Sequence, residues 1–224
     1  MISVVIPIYN EEKILETNTS FFDGLSKEAE LIFVNGESTD KHVELAANYG
    51  KVLHCEKGRA RQMNCGAMHA RKDILLFLHA DNCISAGALE SIEKKVYCSG
   101  VVGGCLMQRI NKKGLTYRLI EAQGNIRSRG SRIFYGDQGI FVRRDVFNRL
   151  GGFPDVPIFE DVLFSEKLKE QGKTAVLSDK IIVSARRWEK RGIVRTTLMF
   201  IVLLIMFKMG RPLEKIRALY EDLR

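Results

Sequence analysis

The chain has 224 residues, 46% of them apolar and 28% charged, which is ordinary globular usage and excludes a disordered or low-complexity protein. Five cysteines stand at 55, 65, 83, 98 and 105 with no C-x-x-C pair, so zinc-ribbon and thioredoxin chemistry have no support and a reducing, cytoplasmic compartment fits best. The formal charge is +8, and ten Lys/Arg against four Asp/Glu from Arg186 onward place most of it in the tail, which points to an anionic partner.

The first half alternates strand and helix patterns. Residues 2–8 are a β-branched run with no basic leader or cleavage site before it, read as a buried strand rather than a targeting peptide. Helical spacing covers 11–25, a second apolar run covers 30–35, and Ser38-Thr39-Asp40 caps a helix that reaches Tyr49. A short strand at 51–54, a helix at 59–71 and a strand at 73–79 follow. Runs this apolar mark strands covered on both faces, as in α/β sheets. The second half predicts a strand at 101–109, a basic helix at 114–128 and a strand at 134–144. After the Gly151-Gly152-Phe153-Pro154 turn come a helix from Glu160 to Gln171 and two short strands at 174–177 and 181–184. The tail holds an apolar helix to Met209, a Gly210-Arg211-Pro212 break and an amphipathic last helix. Its longest apolar run, 196–207, spans about 18 Å as a helix at ~1.5 Å per residue, against about 30 Å of hydrocarbon core. A surface-lying segment is therefore expected rather than a membrane span.

In open α/β sheets, ligands sit outside the carboxyl ends of the strands. Polar groups recur there: Asn10-Glu11-Glu12, Asn35 to Asp40, His79-Ala80-Asp81-Asn82 and Glu160-Asp161. Alone, Glu11-Glu12 and Ser38-Thr39-Asp40 read equally well as helix capping, His79-x-Asp81 reads better as a solvated turn, and Glu160-Asp161 as helix-start acids; their recurrence at successive strand ends points to a site. No G-x-x-x-x-G-K-[ST] or G-x-G-x-x-G loop is present, so a P-loop or standard dinucleotide site is disfavoured. Phosphates would instead fall to a metal on Asp81 and to the basic helix start Lys57-Gly58-Arg59-Ala60-Arg61.

The ordered set Val5-Ile6-Pro7-Ile8-Tyr9-Asn10-Glu11-Glu12, Asn35-Gly36-Glu37-Ser38-Thr39-Asp40, His79-Ala80-Asp81, and Gly151-Gly152-Phe153-Pro154 with Glu160-Asp161 resembles family 2 glycosyltransferases of the GT-A fold. The resemblance covers roughly residues 1–190. Gly58 to Asn64 and Ser184 to Gly192 look like a short bacterial glycosyltransferase-like subgroup. The resemblance implies a Rossmann-like, mostly parallel sheet flanked by helices over 1–190, with a helical tail at 191–224. It implies inverting transfer of a sugar from a nucleotide-diphosphate sugar to an acceptor hydroxyl, assisted by a divalent cation (Mg²⁺ or Mn²⁺). Pro7, Asn10 and Glu12 would touch the base and ribose, with Asn35, Arg59 and Asn64 bordering the nucleotide. Asp81 would hold the metal, with His79 in the first position of D-x-D, and Asp161 beside Glu160 would be the general base. Arg187-Trp188 resembles the R-W of the Q-x-x-R-W element. Three positions depart from the pattern: Asn35 replaces an acid, His79 replaces an acid, and Ser184 replaces Gln, which withdraws support from a processive mechanism.

The basic stretch Arg109, Lys112, Lys113, Arg118, Arg127, Arg129, Arg132, with Glu121 as its one acid, reads either as an acceptor site for phosphorylated or lipid-linked material or as a solvated helix face. The tail is expected to contact the inner face of the cell membrane peripherally through 193–209; packing on the catalytic domain or pairing in a homodimer is the alternative. Nucleic acid is not expected, because basic residues and exposed aromatics are not interleaved. A catalytically weak nucleotide-sugar binder and a nucleotidyltransferase are the rival functions.

Overall fold

The computed structural model describes residues 1–38 and 42–222, with the backbone alone for His42, Arg187, Lys190, Arg191, Glu221 and Asp222. In chain order the elements are β1 (Ile2–Ile8), α1 (Glu12–Thr17), α2 (Thr19–Glu28), β2 (Glu30–Asn35), α3 (His42–Ala47), β3 (Lys51–His54), α4 (Arg59–Met68) and β4 (Ile74–Phe77). Then follow β5 (Cys83–Ile84), α5 (Ala88–Ser99), β6 (Gly103–Ile110), α6 (Leu115–Ser131), a 3₁₀ turn (Gly136–Gln138), β7 (Ile140–Arg143) and α7 (Arg144–Arg149). The chain closes with α8 (Glu160–Glu170), β8 (Thr174–Val183), α9 (Arg186–Arg191), α10 (Ile193–Lys208) and α11 (Leu213–Asp222).

The eight strands form one sheet in the order β3-β2-β1-β4-β7-β6-β8-β5. The pairs β1–β2, β1–β4, β2–β3 and β6–β8 are parallel; β4–β7, β6–β7 and β5–β8 are antiparallel. Alternation along each strand divides the core into two layers. Val4, Ile6, Leu31, Phe33, Ile74, Leu76 and Phe141 face α1, α2, α5 and α6, where Leu15, Phe22, Ile92 and Ile120 meet them. Val5, Ile32, Val34, Leu75, Phe77 and Val142 face the other way, onto Ala60, Met63 and Ala67 of α4, Phe147 of α7 and Phe164 of α8. Burial on both faces is why these strands read as continuous apolar runs. Pro7 is tolerated in a central strand because β4 pairs only with Ile2 to Val5, so no ladder bond to β4 is lost at its missing N–H.

The structure adds β5, α5 and α7, for which the sequence pattern predicts no element, and departs from expectation elsewhere as follows. The helix expected over 11–25 is two helices meeting at Asn18. The helix capped by Ser38-Thr39-Asp40 begins at His42, and Thr39 and Asp40 lie outside the described residues. The expected strand 134–144 contains the 3₁₀ turn, because Gly136 and Gly139 break the run; only Ile140–Arg143 pairs as strand. The two expected strands at 174–177 and 181–184 are one strand, β8, whose register against β6 shifts between Leu106 and Met107.

Candidate active site

Parallel register puts Ile8, Asn35 and His54 side by side at the carboxyl ends of β1, β2 and β3. Gln62, buried on α4, clamps two of those ends by donating Nε2 to the carbonyls of Ile8 at 3.0 Å and Val34 at 2.8 Å. Asn35 is buried; its Nδ2 meets His54 Nδ1 at 3.2 Å and its Oδ1 accepts the Ser38 N–H at 3.1 Å. Ser38 Oγ in turn accepts from the Asn10 N–H at 3.2 Å, so the loops after β1 and β2 are tied together. Asn10 has φ 53°, the left-handed region that Asn tolerates better than most residues. A cleft of about 240 Å³ opens beside it, lined by Asn10, Glu11, Glu12, Lys13, Ile14 and Arg186. Lys57 Nζ sits 3.9 Å over the Tyr9 ring at the same end of the sheet.

Asp81 follows β4. Arg186 Nη2 approaches its Oδ2 at 4.0 Å, so the same arginine lines the cleft and faces the carboxylate. Among the described residues no three His, Cys, Asp or Glu side chains gather into a metal cage. His79 lies against Gly136: a Cβ on that glycine would stand 3.1 Å from His79 Nε2 and 3.5 Å from Asp161 Oδ2. Glycine at 136 therefore lets the imidazole and the carboxylate close on the same spot.

The acidic pair is positioned by packing. Phe77, Phe147, Phe153 and Phe164 form an aromatic cluster with ring centroids 4.5–5.6 Å apart. It anchors the Gly151–Pro154 turn below the start of α8. Asn64 exchanges two hydrogen bonds with the backbone of Phe153, at 2.8 and 2.9 Å. Gly152 has φ 77°, and a Cβ there would meet Asn64 Oδ1 at 2.6 Å. Asn64, which the resemblance places beside the nucleotide, holds this turn through its amide. Phe159, at φ 66°, occupies a left-handed conformation unusual for a bulky residue immediately before Glu160 and Asp161.

Asp161 Oδ2 accepts the Gly136 N–H at 2.6 Å, and its Oδ1 accepts the Val162 N–H at 2.7 Å. Burial pushes its carboxyl up to about 6 and neighbouring Glu160 adds to the shift, while the Gly136 N–H, Arg59 and the Val162 N–H oppose it. Glu160 is buried and lies 3.7 Å from Arg59 Nη1. Desolvation disfavours the charge on Arg59, but Glu160, Tyr220, Asp161 and Asp137 outweigh it and hold its pKa above the ordinary value. Arg59 thus binds the acidic pair electrostatically as well as opening α4. Trp188 is half-buried against the core layer that carries α6, and the Arg187 side chain lies outside the described residues.

Sequence reasoning missed Gln62, Gln108, Gly136 and Asp137. Gln108 Nε2 donates to Asp137 Oδ2 at 2.8 Å, and Ser165 Oγ bridges the N–H and carbonyl of Phe134, latching α8 to the segment that delivers Gly136. For Gly136 and Asp137 the sequence signal is the Gly136-Asp137-Gln138-Gly139 quartet, whose paired glycines mark a turn inside an apolar run but not what the turn touches; Gln62 and Gln108 carry no such signal.

The chain is similar to several known proteins. Dolichyl-phosphate beta-glucosyltransferase ALG5A of Trichomonas vaginalis is 29% identical over 114 residues, 42% of this chain and 35% of that protein. Its namesake ALG5C is 28% identical over 109 residues, 41% of this chain and 32% of that protein. The chain spans about a third of the length of these curated relatives. Among solved structures, the mannosyltransferase PcManGT of Pyrobaculum calidifontis, in complex with GDP-Man and Mn²⁺, superposes with TM-score 0.64 at 21% identity, over 81% of this chain and 56% of its own. S. aureus TarS 1-349 with UDP-GlcNAc gives TM-score 0.66 at 22% identity, over 82% and 58%. At that identity both establish the GT-A fold alone. The family model for glycosyl transferase family 2 matches residues 3–151, from the start of β1 to the first glycine of the turn that sets the acidic pair, and on that match the chain belongs to glycosyl transferase family 2.

Proposed function

We propose that this protein is an inverting glycosyltransferase that moves a sugar from a nucleotide-diphosphate sugar to an acceptor hydroxyl, with Asp161 as the general base. The observation that carries the reading is the Asp161 carboxylate, held at the start of α8 by the Gly136 N–H and brought by burial to about 6, where a carboxylate is both ionised and usefully basic near neutral pH. Family membership and neighbours solved with GDP-Man and UDP-GlcNAc support a nucleotide-sugar donor.

In this reading the nucleotide lies across the ends of β1 and β2, against Pro7, Asn10, Glu12 and Asn35, and Arg186 meets the diphosphate from the cleft. Asp81 would hold a divalent cation. A single accessible carboxylate suits Mg²⁺ or Mn²⁺, which take most of their ligands from substrate phosphates and water. When bound, the cation would offset charge on the departing diphosphate. Asp161 takes the acceptor proton as the acceptor oxygen attacks the anomeric carbon from the face opposite the diphosphate, which inverts that carbon. Arg59 and Glu160 orient the base, and Gly136 fixes its lone-pair direction. His79, closed against Gly136, shapes the acceptor side more than the metal side.

Titration with UDP and GDP, each with and without Mn²⁺, tests the donor half. The reading expects one base to bind and Mn²⁺ to tighten it; no binding of either, with or without metal, overturns it.

A further inference from the structure

Fourteen large apolar side chains are exposed among the described residues, and nine of them gather on or beside two helices. Three lie on α6 (Leu115, Leu119, Ile126), five on α10, and Met209 caps α10. The spacing on the two helices is the same. On α6, Leu115, Leu119, Ala122 and Ile126 are exposed; on α10, Val194, Leu198, Ile201 and Ile205 are. Both series step i, i+4, i+7, i+11, which draws one straight stripe along a helix. On α10 the buried side chains, Thr196 and Leu203, lie off that stripe, so the helix is seated on one side and apolar on the other.

The two stripes are linked at their starts. Lys112, just before α6, pairs with Glu189 of α9 at 2.8 Å, and α9 packs on α10 across Gly192. They also converge at their ends. α6 runs through Phe134 into the turn whose Gly136 N–H holds Asp161. Near the end of α10, the Phe207 ring lies 4.8 Å from that of Phe159, immediately before Glu160 and Asp161. Basic residues bracket both stripes: Lys113 just before α6 and Arg129 on it, Arg195 and Lys208 on α10 and Arg211 just after it. No described helix is long and apolar enough to cross a membrane.

We propose that α6 and α10 form one docking surface for an anionic lipid bilayer, which brings an acceptor embedded in that bilayer to Asp161. Apolar stripes flanked by Lys and Arg have the chemistry of interfacial helices, where buried apolar area and attraction to anionic headgroups act together. A second copy of the chain would cover the stripes equally well but would not use the basic flanks, which repel their like. The acceptor's membrane location rests on the glycosyltransferase reading; the docking surface does not.

Flotation of the full chain with vesicles of phosphatidylglycerol and phosphatidylcholine, against pure phosphatidylcholine, tests it. The wild type floats with the anionic vesicles, and binding weakens at high salt. Leu119→Glu with Ile126→Glu on α6, and separately Leu198→Glu with Ile205→Glu on α10, each lower the bound fraction about tenfold or more. The corresponding Ser pairs serve if a Glu pair fails to fold, and lower binding less. UDP or GDP binding without vesicles is unchanged in all variants. An α6 variant that floats like wild type, or a wild type that ignores anionic vesicles, overturns the surface. So does light scattering that shows a stripe-dependent dimer with no flotation. A chain that floats yet binds no nucleoside diphosphate keeps the surface and overturns the glycosyltransferase reading instead.

Discussion

Asp161 carries two consequences that separate at different pH. As the base it must be ionised, so turnover of the wild type should fall as pH drops through about 6. Asp161→Asn removes proton abstraction and should cut kcat by about 10²–10⁴-fold while nucleoside diphosphate binding persists. A variant that turns over like wild type would place the base elsewhere. For stability the sign runs the other way. The folded carboxyl titrates above its unfolded counterpart, so its contribution is fully present below the unfolded value and is lost as pH rises through about 6. Asp161→Asn should therefore melt at least as high as wild type at pH 8, and the difference should shrink toward pH 4. Thermal melts across that range check it; a variant that is less stable at pH 8 than at pH 4, relative to wild type, contradicts the buried-carboxylate account. Asp81 sits in a different setting, accessible and beside Arg186 rather than enclosed. Asp81→Asn should weaken Mn²⁺-dependent diphosphate binding and leave the metal-free affinity nearly unchanged, which calorimetry reads directly. Equal Mn²⁺ enhancement in both proteins removes Asp81 from the metal.

At the scale of elements, α4 sets the geometry of the carboxyl ends of β1 and β2. It lies so close to the sheet that a Cβ on Gly66 would stand 2.4 Å from Val5 Cγ1 and 2.9 Å from Val34 Cγ2. Gly66→Ala should cost about 1–3 kcal/mol by overpacking, even though alanine is the better helix former. A denaturant melt with an unchanged midpoint would show that α4 can retreat. The strands and this helix were legible in the sequence because burial on both faces leaves uninterrupted apolar runs, and Ala60, Met63 and Ala67 mark a small-residue face. The acidic pair was legible too, since Glu160-Asp161 opens a helix after a Gly-Gly turn. What escaped was what those acids touch. Gly136 is a hydrogen-bond donor through its backbone, and Gln62 acts by reaching two carbonyls from different strands. Neither contact has a periodic or local signature; both exist only once β1, β2 and α8 are packed. The same holds for the two hydrogen bonds by which Asn64 holds Phe153.

For the molecule as a whole, the tail is attached in an unusual way. Leu203 and Ile216 are buried, yet neither belongs to the two core layers that sandwich the sheet. α10 packs on α9 and α11 and reaches the catalytic unit through Phe207 against Phe159, while Tyr220 of α11 acts electrostatically on Arg59. The tail therefore touches the acidic pair's surroundings without supporting the sheet. We infer a division of labour at about residue 190: the sandwich holds the donor and the base, and the tail governs approach to them. Ending the chain after Gly192 should leave both core layers intact, so the truncated protein should retain a cooperative thermal transition and bind nucleoside diphosphate about as well as the full chain. It should lose vesicle binding, because the α10 stripe is gone, and lose transfer to a membrane-embedded acceptor more than transfer to a soluble one. That last difference is the informative measurement. A truncation that costs both acceptors equally would mean that Phe207 and Tyr220 act on Phe159 and Arg59 to order the acidic pair itself, and the tail would then be part of the catalytic unit rather than its access to the bilayer.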